Sequence, residues 1–322
     1  MGSGPRCARL AAGLAVGLVL GSVCGGCASV LGPAIVCPPN RVVPLGAESN
    51  PLPPLESRAG IDRNFRVPVG DGKTSLSVSV LEPDKGYAEP KGTVLVIHGI
   101  YARSFWMMRS ARMLAGAGYR AVLVDLRGHG RSSGEWLGYG VHEAKDLSAV
   151  IDELERRGLV TGKIGVFGVS YGATTSIHLA GHDPRVAAVV AVAPFCNMRE
   201  EVPHFGRVMV PGVGWAIPEK GYQQAIDEAG RLGGFDPDRA SALEAVRRTR
   251  APVLIVHGTH DWVVPHEHGE RLEQAAPDHT KLVSVPWHGH ITAWLDPTGR
   301  VSRETRAWFD RWLAASPAAH GE

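Results

Sequence analysis

A doubly wound, mostly parallel α/β sheet with a small inserted cap is the architecture this 322-residue sequence predicts, and three observations predict it. Six apolar runs, at 93–99, 121–126, 164–169, 186–194, 252–258 and 281–287, lack the alternation of a half-buried strand, so they read as strands covered on both faces. Helix-like stretches over roughly 103–118, 143–157, 171–182, 264–276 and 301–315 separate these runs, which is the rhythm of a sheet layered between helices. Residues capable of chemistry follow several runs directly, and such sheets carry their sites at the carboxyl ends of their strands.

The chain opens with Arg6 and Arg9 before an uncharged apolar stretch, 10–23, and the small residues Cys24, Gly25, Gly26, Cys27 and Ala28. That is the layout of a secretory signal. Gly26-Cys27-Ala28 is similar to the end of a bacterial lipoprotein signal, so Cys27 is the expected lipidation site. Secretion without lipid and an uncleaved anchor are the alternatives, and all three export the body of the protein. Residues 28–63, rich in Pro, Asn, Ser and Gly near their middle, read as a tether to the membrane. Cys37 and Cys196 are the one pair an exporting compartment would allow to join, although two separate thiols is the simpler expectation.

Residues 64–194 and 251–318 then form the predicted catalytic core. They open with an antiparallel pair, FRVPV and SLSVSVLEP, around the turn Gly70-Asp71-Gly72. Residues 195–250 interrupt the α/β rhythm and form the predicted cap, whose apolar side chains include Phe205, Val208, Met209, Val213, Trp215 and Ile217. Without Arg6 and Arg9 the chain has 32 basic residues against 32 acidic, a balance that gives nucleic acid no electrostatic footing as a partner. The expected partners are a small acyl substrate and, through the N-terminus, a membrane. The 14 histidines include the pairs His266/His268 and His288/His290, but neither has the carboxylate spacing of a metal motif, so no metal and no cofactor is expected.

The sequence Gly168-Val169-Ser170-Tyr171-Gly172 matches G-x-S-x-G, in which glycines permit a sharp strand-to-helix turn that exposes the serine hydroxyl. A second match, Gly130-Arg131-Ser132-Ser133-Gly134, touches no strand and reads as a loop. Asp261 follows the run PVLIVHG, and His290 follows KLVSVPW by way of His288-Gly289. A serine needs a base and the base an orienting acid, and the order Ser170, Asp261, His290 supplies both. His288 is the competing base; the loop-to-helix stretch after His290 favours His290, and so does Gly289 directly before it, by resemblance to the pattern of the α/β-hydrolase superfamily.

These pieces, with IHGI (97–100), DLRGHGRSSG (125–134) and HGTHDWVVP (257–265), resemble the α/β-hydrolase superfamily over about residues 64–315. The pairing of HG with DxRGHGxS looks like the lysophospholipase and monoglyceride-lipase branch, and the Ser-Tyr-Gly elbow is also similar to serine aminopeptidase and prolyl-oligopeptidase types. The resemblance implies an oxyanion hole from the backbone N–H groups of Tyr171 and Ile100, with Tyr101 as second choice for the latter. His98 and His129 are expected to brace loops. The expected activity is cleavage of a carboxylic ester through an acyl-enzyme, with amide hydrolysis or acyl transfer as alternatives.

Overall fold

The computed structural model describes residues 26–42 and 60–314. The expected signal up to residue 25 and the stretch 43–59 of the expected tether lie outside the described residues.

Eight strands form one sheet in the order β1-β2-β4-β3-β5-β6-β7-β8. β1 (Arg63–Val69) and β2 (Thr74–Leu81) form the antiparallel pair, with Phe65 opposite Val78, and β2 runs antiparallel to β4 (Arg120–Asp125). β3 (Thr93–Ile97), β4, β5 (Ile164–Val169), β6 (Val186–Val192), β7 (Val253–Gly258) and β8 (Thr280–Val285) are parallel neighbours. Each predicted run overlaps one of these six strands, β4 and β8 beginning one residue before theirs. Gly70 and Gly72 take φ 61° and 80° in the β1–β2 turn, a backbone that side chains with a Cβ rarely adopt.

The absence of alternation in β3 has a direct cause. Leu95 and Ile97 face a core shared with the helices Val141–Arg156 and Tyr171–Ala180, while Val94 and Val96 face a second core under Met108–Gly116 and Arg300–Trp312. Both faces are dry, so every position after Thr93 is apolar. Truncating Leu95, which is fully buried, to Ala would cost about 2–5 kcal/mol.

The cap is helical: Met198–Met209, Val213–Ala216, Glu219–Gly233 and Ala242–Arg248. It joins the core beside β6, where the Asn197 side chain caps the first of these helices on the Glu200 N–H.

The tether expected over 28–63 does not hold at its start. Residues Gly26–Val36 form a helix that packs along the cap helix Glu219–Gly233, and Val36 and Cys37 are buried. The Leu137 N–H donates to the Val36 carbonyl at 3.0 Å, and the Asn40 side chain donates to the carbonyls of Gly130 and Ser132 at 3.0 and 3.1 Å. Leu31 and Ile35, one helical turn apart, supply an apolar stripe that the neighbouring Gly and Pro residues obscure in the sequence. No disulfide joins Cys37 to Cys196, and burial pushes the Cys196 thiol up to about 12. Among the described residues no helix is long and apolar enough to cross a membrane.

Candidate active site

Ser170 sits between the end of β5 and the helix Tyr171–Ala180, with φ 55° and ψ −121°. A non-glycine residue there stores about 1–3 kcal/mol of strain, which flanking structure must hold. The Ser170 N–H donates to Val192 O at 2.8 Å, and its carbonyl accepts the Thr174 N–H at 3.0 Å. The two glycines of the motif have separate reasons. A Cβ at Gly168 would collide with the carbonyl of Gly172, and a Cβ at Gly172 with the carbonyl of His98, so only glycine lets the turn pack this closely.

Asp261 and His290 come together across 29 residues. The His290 Nδ1–H donates to Asp261 Oδ2 at 2.7 Å, leaving Nε2 as the nitrogen able to accept a proton. The other carboxylate oxygen of Asp261 accepts the N–H groups of Val263 and Val264 at 3.0 and 2.9 Å. Burial alone would raise this carboxyl. The imidazoles of His257 and His290 and the Val264 N–H outweigh it and hold Asp261 below the usual carboxylate range. His290 opens the helix His290–Leu295. His288 turns elsewhere, its Nδ1–H donating to Pro286 O at 2.8 Å.

Ser170 and His290 line one cavity of about 710 Å³, together with Tyr171, Gly99, Ile100 and Tyr101. Tyr171 is the first residue of its helix, so its N–H has no acceptor within the helix. The Gly99 loop lies close by, since a Cβ built on Gly99 would stand 3.5 Å from the Ser170 Cβ. His98 and His129 are fully buried braces. His98 donates from Nδ1 to Gly99 O at 2.8 Å and accepts the Leu126 N–H on Nε2 at 3.0 Å; His129 donates to Arg127 O at 2.9 Å. Burial depresses His98 to about 4 and His129 to about 3, so both are neutral near pH 7.

Four features escaped the sequence reading. The Tyr171 hydroxyl donates to the buried Glu143 at 2.9 Å and accepts the Tyr139 N–H at 2.9 Å, so a buried network holds the elbow from behind. Glu143 also accepts the N–H groups of Gly138 and Gly140, and its place three residues after Gly140 was a capping signal available in the sequence. His257 stands 3.6 Å from Asp261 Oδ2 while donating to Val264 O at 2.9 Å. Leu31, Ala34 and Ile35 of the N-terminal helix form part of the cavity wall. Glu201 is the one carboxylate among the described residues lining the cavity, and its Oε2 is buried without a hydrogen-bond partner. Burial, with the charges of Asp261 and Glu200, raises the Glu201 carboxyl well above its ordinary value. No group of His, Cys, Asp and Glu among the described residues is placed to hold a metal ion.

A sheet of this order, with a strained serine at a strand-to-helix turn beneath a helical cap, is the α/β-hydrolase fold. The esterase Pf2001 of Pyrococcus furiosus shares it, with a TM-score of 0.63 at 22% identity, covering 82% of this chain and 96% of that one. Residues 71–234, just over half of the chain, match the X-Pro dipeptidyl-peptidase (S15) family, and the chain belongs to that family. It is similar to the protein YqkD of Bacillus subtilis, 27% identical over 195 residues, 58% of this chain and 62% of that one. It is also similar to dipeptidyl-peptidase 5 of Porphyromonas gingivalis, 27% identical over 261 residues, 76% of this chain. The matches thus span under two thirds of these curated relatives, 62% of the first and 36% of the second.

Proposed function

We propose that this chain is an exported serine hydrolase that cleaves a carboxylic ester through an acyl-enzyme. Ser170 Oγ attacks the substrate carbonyl, His290 Nε2 takes the hydroxyl proton and passes it to the leaving group, and ionised Asp261 holds the imidazolium. The N–H groups of Tyr171 and Ile100 receive the developing oxyanion, a donor of this kind being worth about 2.7–4 kcal/mol of barrier. Water then attacks the acyl-enzyme with His290 as base again. The observation that carries this reading is the sharing of one cavity by the strained Ser170 and the Asp261-bound His290.

The apolar wall favours an acyl group over a peptide. A second reading, hydrolysis of an aminoacyl amide, draws on the family match and on Glu201, a carboxyl in the cavity wall whose Oε2 is open to an N–H donor of the substrate. A fluorophosphonate probe should label Ser170, and short to medium acyl esters should turn over faster than aminoacyl amides. Equal rates on the two would favour the amide reading, and failure to label would remove both.

Lipid on Cys27, supported by Arg6, Arg9, the apolar stretch 10–23 and Gly26, would hold the enzyme at a membrane. Cys27→Ala should then leave the membrane fraction with its activity per molecule unchanged; a variant that stays bound would favour an uncleaved anchor.

A further inference from the structure

The mouth of the cavity is ringed by large apolar side chains that face solvent. Trp106, Met209, Val210 and Ile291 line the cavity and are each 51–56% exposed. Trp215, 72% exposed, lies two residues beyond Val213 of the lining, and Leu295 directly follows Trp294, which stacks on Trp106. These residues come from three separate parts of the chain: the loop after β3, the cap, and the helix that begins with His290. A soluble surface rarely gathers a contiguous patch of this kind without a partner. Tryptophan at the edge of such a patch suits a membrane interface, where its ring sits at the level of the lipid headgroups.

A second observation says what covers the patch. The helix Gly26–Val36 places Leu31, Ala34 and Ile35 in the wall of the same cavity. The apolar stretch 10–23 ends three residues before that helix begins, so at most roughly 20 Å of chain separates Val23 from Leu31. Whether the stretch 10–23 stays attached or is removed and lipid sits on Cys27, the membrane attachment joins the body beside the apolar mouth, with no long spacer between them.

We propose that the cavity mouth is a lipid-docking surface: the ring of Trp106, Met209, Val210, Trp215, Ile291 and Leu295 seats on the bilayer to which the N-terminal segment leads. Substrate then reaches Ser170 from the lipid phase. The docking itself does not depend on the ester reading; only the delivery of an acyl substrate rests on it.

The sequence provides a convenient probe, because all eight tryptophans lie at or after Trp106. The full chain carrying Ser170→Ala would be placed in phosphatidylcholine vesicles with or without bromine on the acyl chains. Bromine in the bilayer quenches only nearby tryptophan, so the signal reports the body and not the N-terminal segment. We expect a loss of tryptophan emission in the brominated vesicles, reduced to about half or less by Val210→Glu with Leu295→Glu, which place charge on the lipid face without removing a fluorophore. Both positions are exposed, and circular dichroism would verify folding.

In the chain with Ser170 intact, Leu295→Glu should lower turnover of a long-chain ester held in vesicles by about tenfold relative to a soluble short-chain ester. No quenching in the parent chain, or quenching indifferent to the two glutamates, would overturn the docking. A stable dimer without vesicles and no quenching with them would assign the patch to a second copy instead. Quenching with no turnover of either ester would leave the docking standing and remove the esterase reading.

Discussion

Two stretches of this chain share the pattern G-x-S-x-G, and their surroundings differ at every level. At Ser170 a buried parallel strand ends, the serine itself takes φ 55°, and a helix starts on the next residue. At Ser132 the glycines carry the bend, with Gly128, Gly130 and Gly134 at φ 68°, 51° and 148°. The Ser132 hydroxyl donates to Asp125 O at 2.6 Å and accepts the Ser77 N–H at 2.8 Å, tying the loop to β2. One serine is held in strain beside a cavity, and the other is buried and engaged in local bonds. The pattern describes a tight turn; the strand before it and the space in front of it decide whether chemistry follows.

Substitutions can break that comparison. Ser170→Ala should lower turnover by several orders of magnitude with the fold intact. His290→Ala should match it, and the double variant should be hardly worse than either, because residues that act as a unit are not additive. Steady-state rates and a thermal scan on the same samples check this, and additive losses would mean that the two residues act separately. His288→Ala comes next, with a loss of about tenfold or less, as fits a residue whose Nδ1–H holds Pro286 O. If it were the more damaging histidine variant by a hundredfold, the base would be His288.

Ser132→Ala reverses the balance. It leaves the Ser77 N–H without its acceptor and should cost about 1–3 kcal/mol of stability in denaturant unfolding while kcat/KM stays within a few-fold.

The smallest effect concerns Glu201. Its carboxyl keeps its proton in the folded chain to a higher pH than in the unfolded chain, where it ionises near 4.5. Above that pH the folded state binds more protons, so this residue makes stability fall as pH rises. Glu201→Gln should remove the slope, and its thermal midpoint should gain on the parent between pH 5 and pH 8, by about 2–4 °C for each kcal/mol relieved. An equal difference at both pH values would show that Glu201 is not held protonated.

Much of the molecule was legible in one dimension. Runs such as VLVI (94–97) and IGVFGV, without a polar side chain, determine strands buried on both faces, because period-two side chains alternate between two dry cores. The order Ser170, Asp261, His290, each after a strand, follows from the same reading, since parallel strands deliver their ends to one edge of the sheet. What only the tertiary structure decided depends on contacts between distant segments. Residues 28–63 read as a tether because they are rich in Pro, Asn, Ser and Gly near their middle, yet Leu31 and Ile35 find the cavity wall. Glu201 is an ordinary helix residue by sequence and becomes a buried acid only because the cap helix that carries it packs with that face inward. The two histidines part company through contacts the sequence does not show, for the His290 imidazole meets Asp261 and that of His288 a backbone carbonyl two residues away. Periodicity carries information about which face a side chain takes; which partner waits on that face is set by the packing of elements far apart in sequence.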